Sequence, residues 1–238
     1  NLFIEAFGHA SKTKDIKRSE RLINGNGIPL QNQGALVPIL NWLDSLEKEV
    51  LDTHPSLWVT YSSTLCMASK FDAVEDKLFA AEDALKGRER DEFVRDLIGH
   101  IASNRAFLAV TQRKTQTVLS QSKIALEYLH PDNIAVRTST NWILGMAYHE
   151  QGNLDAARST LEETISICNS TGNFVVGISA ASVLGEVYEE KNEINLAATT
   201  YQNCIKAQGS MPLGVSAYFS HLGLSRIFYE WNDIETSY

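Results

Sequence analysis

The chain has 238 residues, which is enough to bury a sizeable hydrophobic core. Its 21 Lys and Arg against 29 Asp and Glu give a net charge of −8, whereas a surface that binds nucleic acid needs clustered positive charge. The basic run from Lys12 to Arg21 is interrupted by Asp15 and Glu20, which is typical of a solvated helix face. We therefore expect no direct nucleic-acid binding by this chain.

The cysteine pattern argues against disulfides and against a metal site. Cys66, Cys168 and Cys204 are odd in number and widely spaced, so neither a disulfide framework nor a CxxC site is present. Each lies in an apolar helical pattern, which favours reduced core thiols. No apolar run is long enough to cross a membrane, and no secretory signal is visible. These features predict a cytoplasmic protein with no membrane partner.

Residues 1–54 are predicted to be an N-terminal helical segment that leads into an array at residues 55–238. Its helices are expected at Leu2–Ala10, Asp15–Leu22, Leu36–Leu46 and Glu47–Thr53. The chain begins at Asn1 and stops at Tyr238, where a new helix is expected to start. We therefore expect a segment of a longer polypeptide, whose last unit is truncated.

Five helix pairs follow residue 55, and the fifth is reduced to one helix. Polar and Pro- or Gly-containing breaks separate them, because these residues start or stop helices. The predicted helices are Ser56–Ser69, Phe71–Leu85, Glu92–Val110, Thr115–Leu129, Ile134–Gln151, Leu154–Ser170, Phe174–Lys191, Glu193–Ala207 and Leu213–Trp231.

The sequence repeats itself with a period of 40 residues (184 − 144). Residues 144–157 and 184–197 carry the same pattern of Leu-Gly, Tyr and a later apolar-x-x-Ala. A period of this length predicts a stacked array of helix pairs. Leu154, Ile194 and Ile234 occupy one position of the repeat, and Phe71 and Thr115 are interpreted as earlier equivalents at irregular spacing.

Small residues recur where paired helices are expected to approach closely. Because Gly inside a helix costs about 1 kcal/mol relative to Ala, its presence there needs a packing reason. The predicted contact positions are Ser62, Ala106, Gly145 and Gly185, with Tyr148 and Tyr188 filling the space one turn later.

The pattern at 144–157 resembles the tetratricopeptide repeat, with a unit longer than the usual ~34 residues. Longer units resemble the repeat region of MalT-type regulators, which are large ATP-dependent transcriptional activators of the LuxR class. Trp42-Leu43-Asp44-Ser45-Leu46, then Leu51, then His54-Pro55-Ser56-Leu57 resembles the segment that precedes the repeats in that family. The resemblance covers residues 9–238 and implies an all-α superhelical array of antiparallel helix pairs, an α-solenoid.

The resemblance also implies other domains of the same polypeptide as partners. In that family a nucleotide-binding switch domain precedes the sensor repeats, and a helix-turn-helix follows them. This chain has no G-x-x-x-x-G-K-[ST] loop and no basic recognition helix. We therefore expect no cofactor on this chain, and ATP only on a separate domain of the full-length protein.

Ligand-binding residues are expected on the first helix of each pair, which lines the concave face in tetratricopeptide-like arrays. Helical spacing places the candidates on one side of each helix. They are Trp142, Met146, His149 and Glu150 in the third pair, Glu186 and Glu189 (with Glu190) in the fourth, Arg226 and Tyr229 on the last helix, and His100 and Phe107 in the second pair.

Each candidate also has a structural interpretation. Trp142 is suited to stack on a sugar or an aromatic ligand. In the structural interpretation it packs against the adjacent helix as part of the core. In the alternative interpretation His149 is an exposed or helix-capping side chain, and the glutamates form a solvated charged face. Arg226 is expected either to pair with those glutamates or to hold a ligand anion.

No catalytic or metal-binding residue is predicted, and we expect no enzyme activity. His149-Glu150 begins like H-E-x-x-H, but residue 153 is Asn, so the second zinc ligand is missing. The six histidines lack metal-ligand spacing, and no G-x-S-x-G occurs.

The sequence thus favours an effector-sensing, ligand-binding regulatory domain of a bacterial transcriptional activator. The effector is expected to be a small-molecule inducer or a regulatory protein, and binding is expected to favour an open state able to self-associate. The alternative is a tetratricopeptide-type interaction scaffold that holds a peptide or helix. A small-molecule site predicts a closed pocket with aromatic walls, and a peptide site predicts an open channel.

Overall fold

The computed structural model describes residues 2–13, 15–24, 29–208 and 215–231 of the chain. Within these ranges every regular element is helical, which confirms the all-α class. The predicted helix at 213–231 and the repeat position at Ile234 fall partly or wholly outside them. None of the described helices is long and apolar enough to cross a membrane. The helices are α1 (Leu2–Lys12), α2 (Ile16–Asn24), α3 (Leu36–Asp44), α4 (Lys48–Thr53), α5 (Pro55–Met67), α6 (Val74–Leu85), α7 (Glu92–Thr111), α8 (Thr115–Tyr128), α9 (Ile134–Glu150), α10 (Leu154–Thr171), α11 (Phe174–Glu190), α12 (Ile194–Gln208) and α13 (Val215–Glu230).

The chain forms two compact units, residues 1–137 and 138–238. Unit 1 contains α1–α8 and the first residues of α9, and unit 2 contains the rest of α9 and α10–α13. A short 3-10 helix at Leu30–Gln33 was not predicted. The predicted helix Phe71–Leu85 begins with a 3-10 turn at Phe71–Ala73, followed by α6. The predicted division at residues 54 and 55 stays a prediction.

The core of unit 1 joins the N-terminal helices to the first helix pair. Phe7 of α1 meets the Trp42 ring of α3 edge-on, with ring centroids 5.5 Å apart. Both residues belong to one buried cluster that also contains Leu57 of α5 and Leu78 of α6. Burial of this apolar surface is the main favourable contribution to folding. Trp42, singled out by the sequence, is therefore a core residue.

The turn inside each helix pair has the same backbone geometry. One residue adopts a left-handed conformation, with φ between 54° and 74°. The backbone N–H of the next residue donates to the carbonyl five residues before it, as in a Schellman motif. The left-handed residues are Ser69, Arg113, Gly152 and Asn192. The closing bonds run from Lys70 to Leu65, Lys114 to Ala109, Asn153 to Tyr148 and Glu193 to Tyr188, at 2.8–3.0 Å between N and O. The equivalence of Phe71, Thr115, Leu154 and Ile194 is thereby confirmed.

Glycines in unit 2 let large side chains of the paired helices lie against the backbone. A Cβ added to Gly145 of α9 would lie 2.7 Å from two side-chain carbons of Leu161 in α10. A Cβ on Gly185 of α11 would overlap the ring of Tyr201 in α12, which is fully buried. Gly223 of α13 contacts the other edge of the same ring. The close approach predicted at Gly145 and Gly185 is confirmed, and Tyr201 with Gly223 was missed.

We expect Gly185→Ala to destabilise the chain, because the added methyl group cannot fit against the buried Tyr201 ring. Overpacking of this kind costs about 1–3 kcal/mol. Gly8→Ala is the matched control: it is also helical, but a Cβ there meets nothing within 4 Å, so it should stabilise by up to about 1 kcal/mol. Urea unfolding measures both, and equal effects of the two substitutions would contradict the packing argument.

A buried polar network joins α5 to α7 in unit 1. His100 Nε2 lies 3.1 Å from Ser63 Oγ. Asn104 Nδ2 donates to Ser62 Oγ at 2.8 Å and to Ser63 Oγ at 2.9 Å. Burial lowers the pKa of His100 to about 4, and the nearby Asp96 carboxylate only partly opposes this. His100 is therefore held in its neutral form.

Acid should weaken the fold through His100. The unfolded chain binds a proton here below pH ~6.5, whereas the folded chain does so only near the lowered pKa of about 4. Stability from the neutral ring is thus complete above pH ~6.5 and is lost as the pH falls toward 4, by up to ~1.4 kcal/mol per pH unit. Urea unfolding of the wild type and of His100→Gln should diverge over this range, and parallel pH profiles would contradict the assignment.

Candidate functional site

The first helices of three successive helix pairs bring charged side chains of unit 2 to one surface. α9 supplies His149, α11 supplies Glu186, Glu189 and Glu190, and α13 supplies Arg226. The three glutamates share one face of α11 because residues three and four apart are neighbours on a helix. We call these five residues the charged cluster. Helical spacing in the sequence predicted all five on the corresponding helix faces.

Glu189 and Arg226 form the strongest contact of the charged cluster. Arg226 Nε donates to Glu189 Oε2 at 2.9 Å, and Arg226 Nη2 donates to Glu189 Oε1 at 2.7 Å. Tyr201 of α12 donates its hydroxyl to the same Oε1 at 2.7 Å. Hydrogen bonding to Glu189 raises the pKa of Arg226, and burial is the main cause of a raised pKa at Tyr201. A bidentate guanidinium–carboxylate pair of this kind ties α13 to α11.

His149 lies between the other two glutamates. Its Nε2 is 2.9 Å from Glu190 Oε1, and its Nδ1 is 3.9 Å from Glu186 Oε2. The Glu186 carboxylate accepts no hydrogen bond from any residue in the described part of the chain. Burial is the first cause of a raised pKa at Glu186, with the His149 ring acting in the opposite direction. Glu186 is thus a partly desolvated carboxylate that lacks a close donor.

The glutamates and the arginine line an open depression. It is bounded by Glu186, Glu189, Glu190 and Arg226 and has a volume of about 410 Å³. Three carboxylates face one guanidinium, so the depression carries excess negative charge. Such a surface suits a cationic group or a set of hydroxyl donors. Among the described residues, no three His, Cys, Asp or Glu side chains are placed so that they could hold a metal ion together.

The other predicted residues of unit 2 lie outside this lining. Trp142 is partly buried against the core of unit 2, and its indole Nε1 is buried without a hydrogen-bond partner among the described residues. Met146 is half-buried, Glu150 is exposed, and Tyr229 of α13 is 72% exposed. The ligand-binding role of these residues stays a prediction.

His100 and Phe107 belong to unit 1. His100 lies in the polar network described above, and the Phe107 ring packs near Phe71 with centroids 6.4 Å apart. Neither side chain is among those that line the charged depression. Their predicted role in ligand binding is untested, and their contacts are those of helix packing.

Unit 1 has an open depression that the sequence analysis missed. It has a volume of about 320 Å³ and surrounds His130, between the start of α7 and the end of α8. His130 Nε2 lies 2.7 Å from Glu92 Oε1, and Arg137 donates to the carbonyls of Leu126 and Leu129 at 3.0 Å. His130 thus pairs with Glu92, and Arg137 bonds the free carbonyls at the end of α8, so we interpret these polar groups as structural. Pro131 and Asp132 had indicated only a helix start.

Comparison with known proteins identifies the repeats. The family model "MalT-like TPR region" matches residues 99–237. Two proteins described as HTH-type transcriptional regulator MalT are similar to the chain: the one from Vibrio campbellii is 25% identical and the one from Vibrio parahaemolyticus is 24% identical, each over 160 residues. The match covers 67% of this chain and 18% of each relative, so the chain spans less than a fifth of their length.

Solved structures share the fold at low sequence identity. BtubC from P. vanneervenii aligns with a TM-score of 0.59 and 12% identity over all of this chain and 87% of its own. NprR in complex with its cognate peptide NprX aligns with a TM-score of 0.61 and 16% identity, over 87% of this chain and 61% of its own. These likenesses concern the fold alone. The family match covers more than half of the residues, and this chain therefore belongs to the MalT-like TPR region family.

Proposed function

We propose that the chain is the effector-sensing repeat domain of a bacterial transcriptional activator. The observation that carries the proposal is the charged depression, which is built by first helices of successive repeat units. The similar MalT proteins are described as HTH-type transcriptional regulators, which supports a regulatory role. ATP binding and DNA binding would belong to other domains of a longer, cytoplasmic polypeptide.

The depression is suited to sensing because its contacts join separate helices. His149 connects α9 to α11, and the Glu189–Arg226 pair connects α11 to α13. A ligand that engages these groups more strongly in one helix arrangement than in another shifts the population toward that arrangement. The shifted state would be the one that permits activation and self-association in the full-length protein.

A thermal-shift screen of the chain against sugars, organic amines and short peptides tests the proposal. A bound effector should raise the melting temperature, since binding to the folded state alone stabilises it by about 2.7 kcal/mol at 100 times the dissociation constant. Glu186→Gln should reduce the shift, because it deletes a charge that faces the depression. Glu163→Gln, on the exposed face of α10, is the matched control and should keep it. No shift with any compound would overturn the sensor proposal.

Trp142→Ala separates packing from binding at the residue that the sequence favoured most. Trp142 packs against the unit 2 core and does not line the depression, so its truncation should cost about 3 kcal/mol of stability. The shift produced by an effector should persist in the variant. An unchanged melting temperature together with a lost effector response would instead make Trp142 a ligand contact.

The alternative is an interaction scaffold that binds a peptide or helix. The depression is open rather than enclosed, and its lining is charged rather than aromatic, which favours an extended ligand over a small sugar. NprR, which shares the fold, was crystallised with its cognate peptide. Peptide binding that leaves the self-association of the full-length protein unchanged would favour this alternative.

A further inference from the structure

The last described helix presents an apolar stripe to solvent. Phe219, Leu222 and Tyr229 of α13 are 47%, 46% and 72% exposed. They recur with Arg226 at intervals of three and four residues, which places all four on one side of the helix. Ser220 and Ile227, on the opposite side, are fully buried. We call Phe219, Leu222 and Tyr229 the apolar stripe.

The apolar stripe is continuous with the charged depression. Arg226 lies between Leu222 and Tyr229 on the stripe, and it also forms one wall of the depression through its pair with Glu189. A ligand that lies along this side of α13 would therefore meet apolar side chains and then carboxylates. Exposed apolar groups beside a charged rim are typical of an interaction surface.

The charges of the depression favour a cationic partner. Arg226 and Tyr201 satisfy Glu189, and His149 satisfies one oxygen of Glu190. Glu186 accepts no hydrogen bond in the described part of the chain, and burial already disfavours its charge. A guanidinium or ammonium group on Glu186 would supply the missing donor and offset the excess negative charge.

We propose that this surface binds an extended peptide segment that carries an arginine or lysine near a leucine-like side chain. The cation pairs with Glu186, and the apolar side chain packs on Phe219 and Leu222. This inference rests on the proposed function and names the chemistry of the effector. Phe219 and Arg226 are seven residues apart, or about 10 Å along the helix. About three residues of extended chain cover that distance. We use this spacing for the two anchors of the probe, because Arg226 pairs with Glu189, one helical turn from Glu186.

The test uses the chain and a defined probe. A fluorescein-labelled peptide with leucine and arginine separated by two serines is titrated with the protein, and its anisotropy is measured. Two further probes replace the arginine with glutamate or the leucine with serine. We expect only the leucine–arginine probe to bind well, with an affinity that falls as salt is added.

Variants locate the contact on the protein. Glu186→Gln and Leu222→Ser should each weaken binding of the leucine–arginine probe about fivefold. This factor is the upper end of the range of affinity losses expected for a partly exposed contact. Both positions are partly exposed, so the variants should retain the wild-type urea midpoint. Glu163→Gln removes the same charge elsewhere on the surface and should leave the affinity unchanged.

Any of the following outcomes would overturn the inference. Equal binding of the arginine and glutamate probes, or an equal loss in Glu163→Gln, would mean that no specific cation site exists. A dimer in sedimentation that Leu222→Ser dissociates would mean that a second copy of the chain covers the stripe. A small molecule that raises the melting temperature through Glu186, with no peptide bound, would refute the peptide and leave the sensor proposal intact. If neither the peptide binds nor any small molecule raises the melting temperature, both the peptide inference and the sensor proposal are refuted.

Discussion

The structure of unit 2 depends on the close approach of paired helices at glycine. Gly145 admits the side chain of Leu161, and Gly185 admits the ring of Tyr201, which Gly223 contacts from the next helix. Glycine costs helix stability in isolation, so its use here is explained by the dispersion and burial that the enclosed side chains gain. The fully buried Tyr201 ring thereby joins α11, α12 and α13.

The same ring connects packing to the charged cluster. Tyr201 is fixed by the two glycines, and its hydroxyl emerges from the core to donate to Glu189. Glu189 in turn accepts both bonds from Arg226. A carboxylate held by a buried phenol has little freedom to move, so Arg226 finds its partner in a set position. The surface where we propose effector binding is therefore supported by the core rather than by a loop.

The sequence predicted the helices well and the site only in part. Helix ends agreed to within two or three residues. Gly, Asn or Pro marks several of the turns chemically, although the turns at Ser69 and Arg113 contain none of the three. The residues on the charged faces were also predicted from the sequence, since helical spacing fixes which residues are neighbours on a helix. Trp142 packs partly against the core of unit 2, a contact that spacing could not predict because it leaves open how far each helix is rotated toward its neighbour. Its ligand-binding role stays a prediction. Gly223 was missed because its Leu-Gly pair follows the previous one after 38 residues (223 − 185) instead of 40.

The glycine–tyrosine packing also bears on how the repeats can diverge in evolution. Successive units look interchangeable by sequence, yet the third pair encloses a leucine and the fourth a tyrosine that is shared with the helix after it. Recombination that replaced the fourth unit with a copy of the third would put the counterparts of His149 and Leu161 at positions 189 and 201. Gly223 would then face a void, and Arg226 would lose its carboxylate partner. Positions 185, 201 and 223 should therefore change together among homologues, and duplication alone cannot lengthen this part of the array.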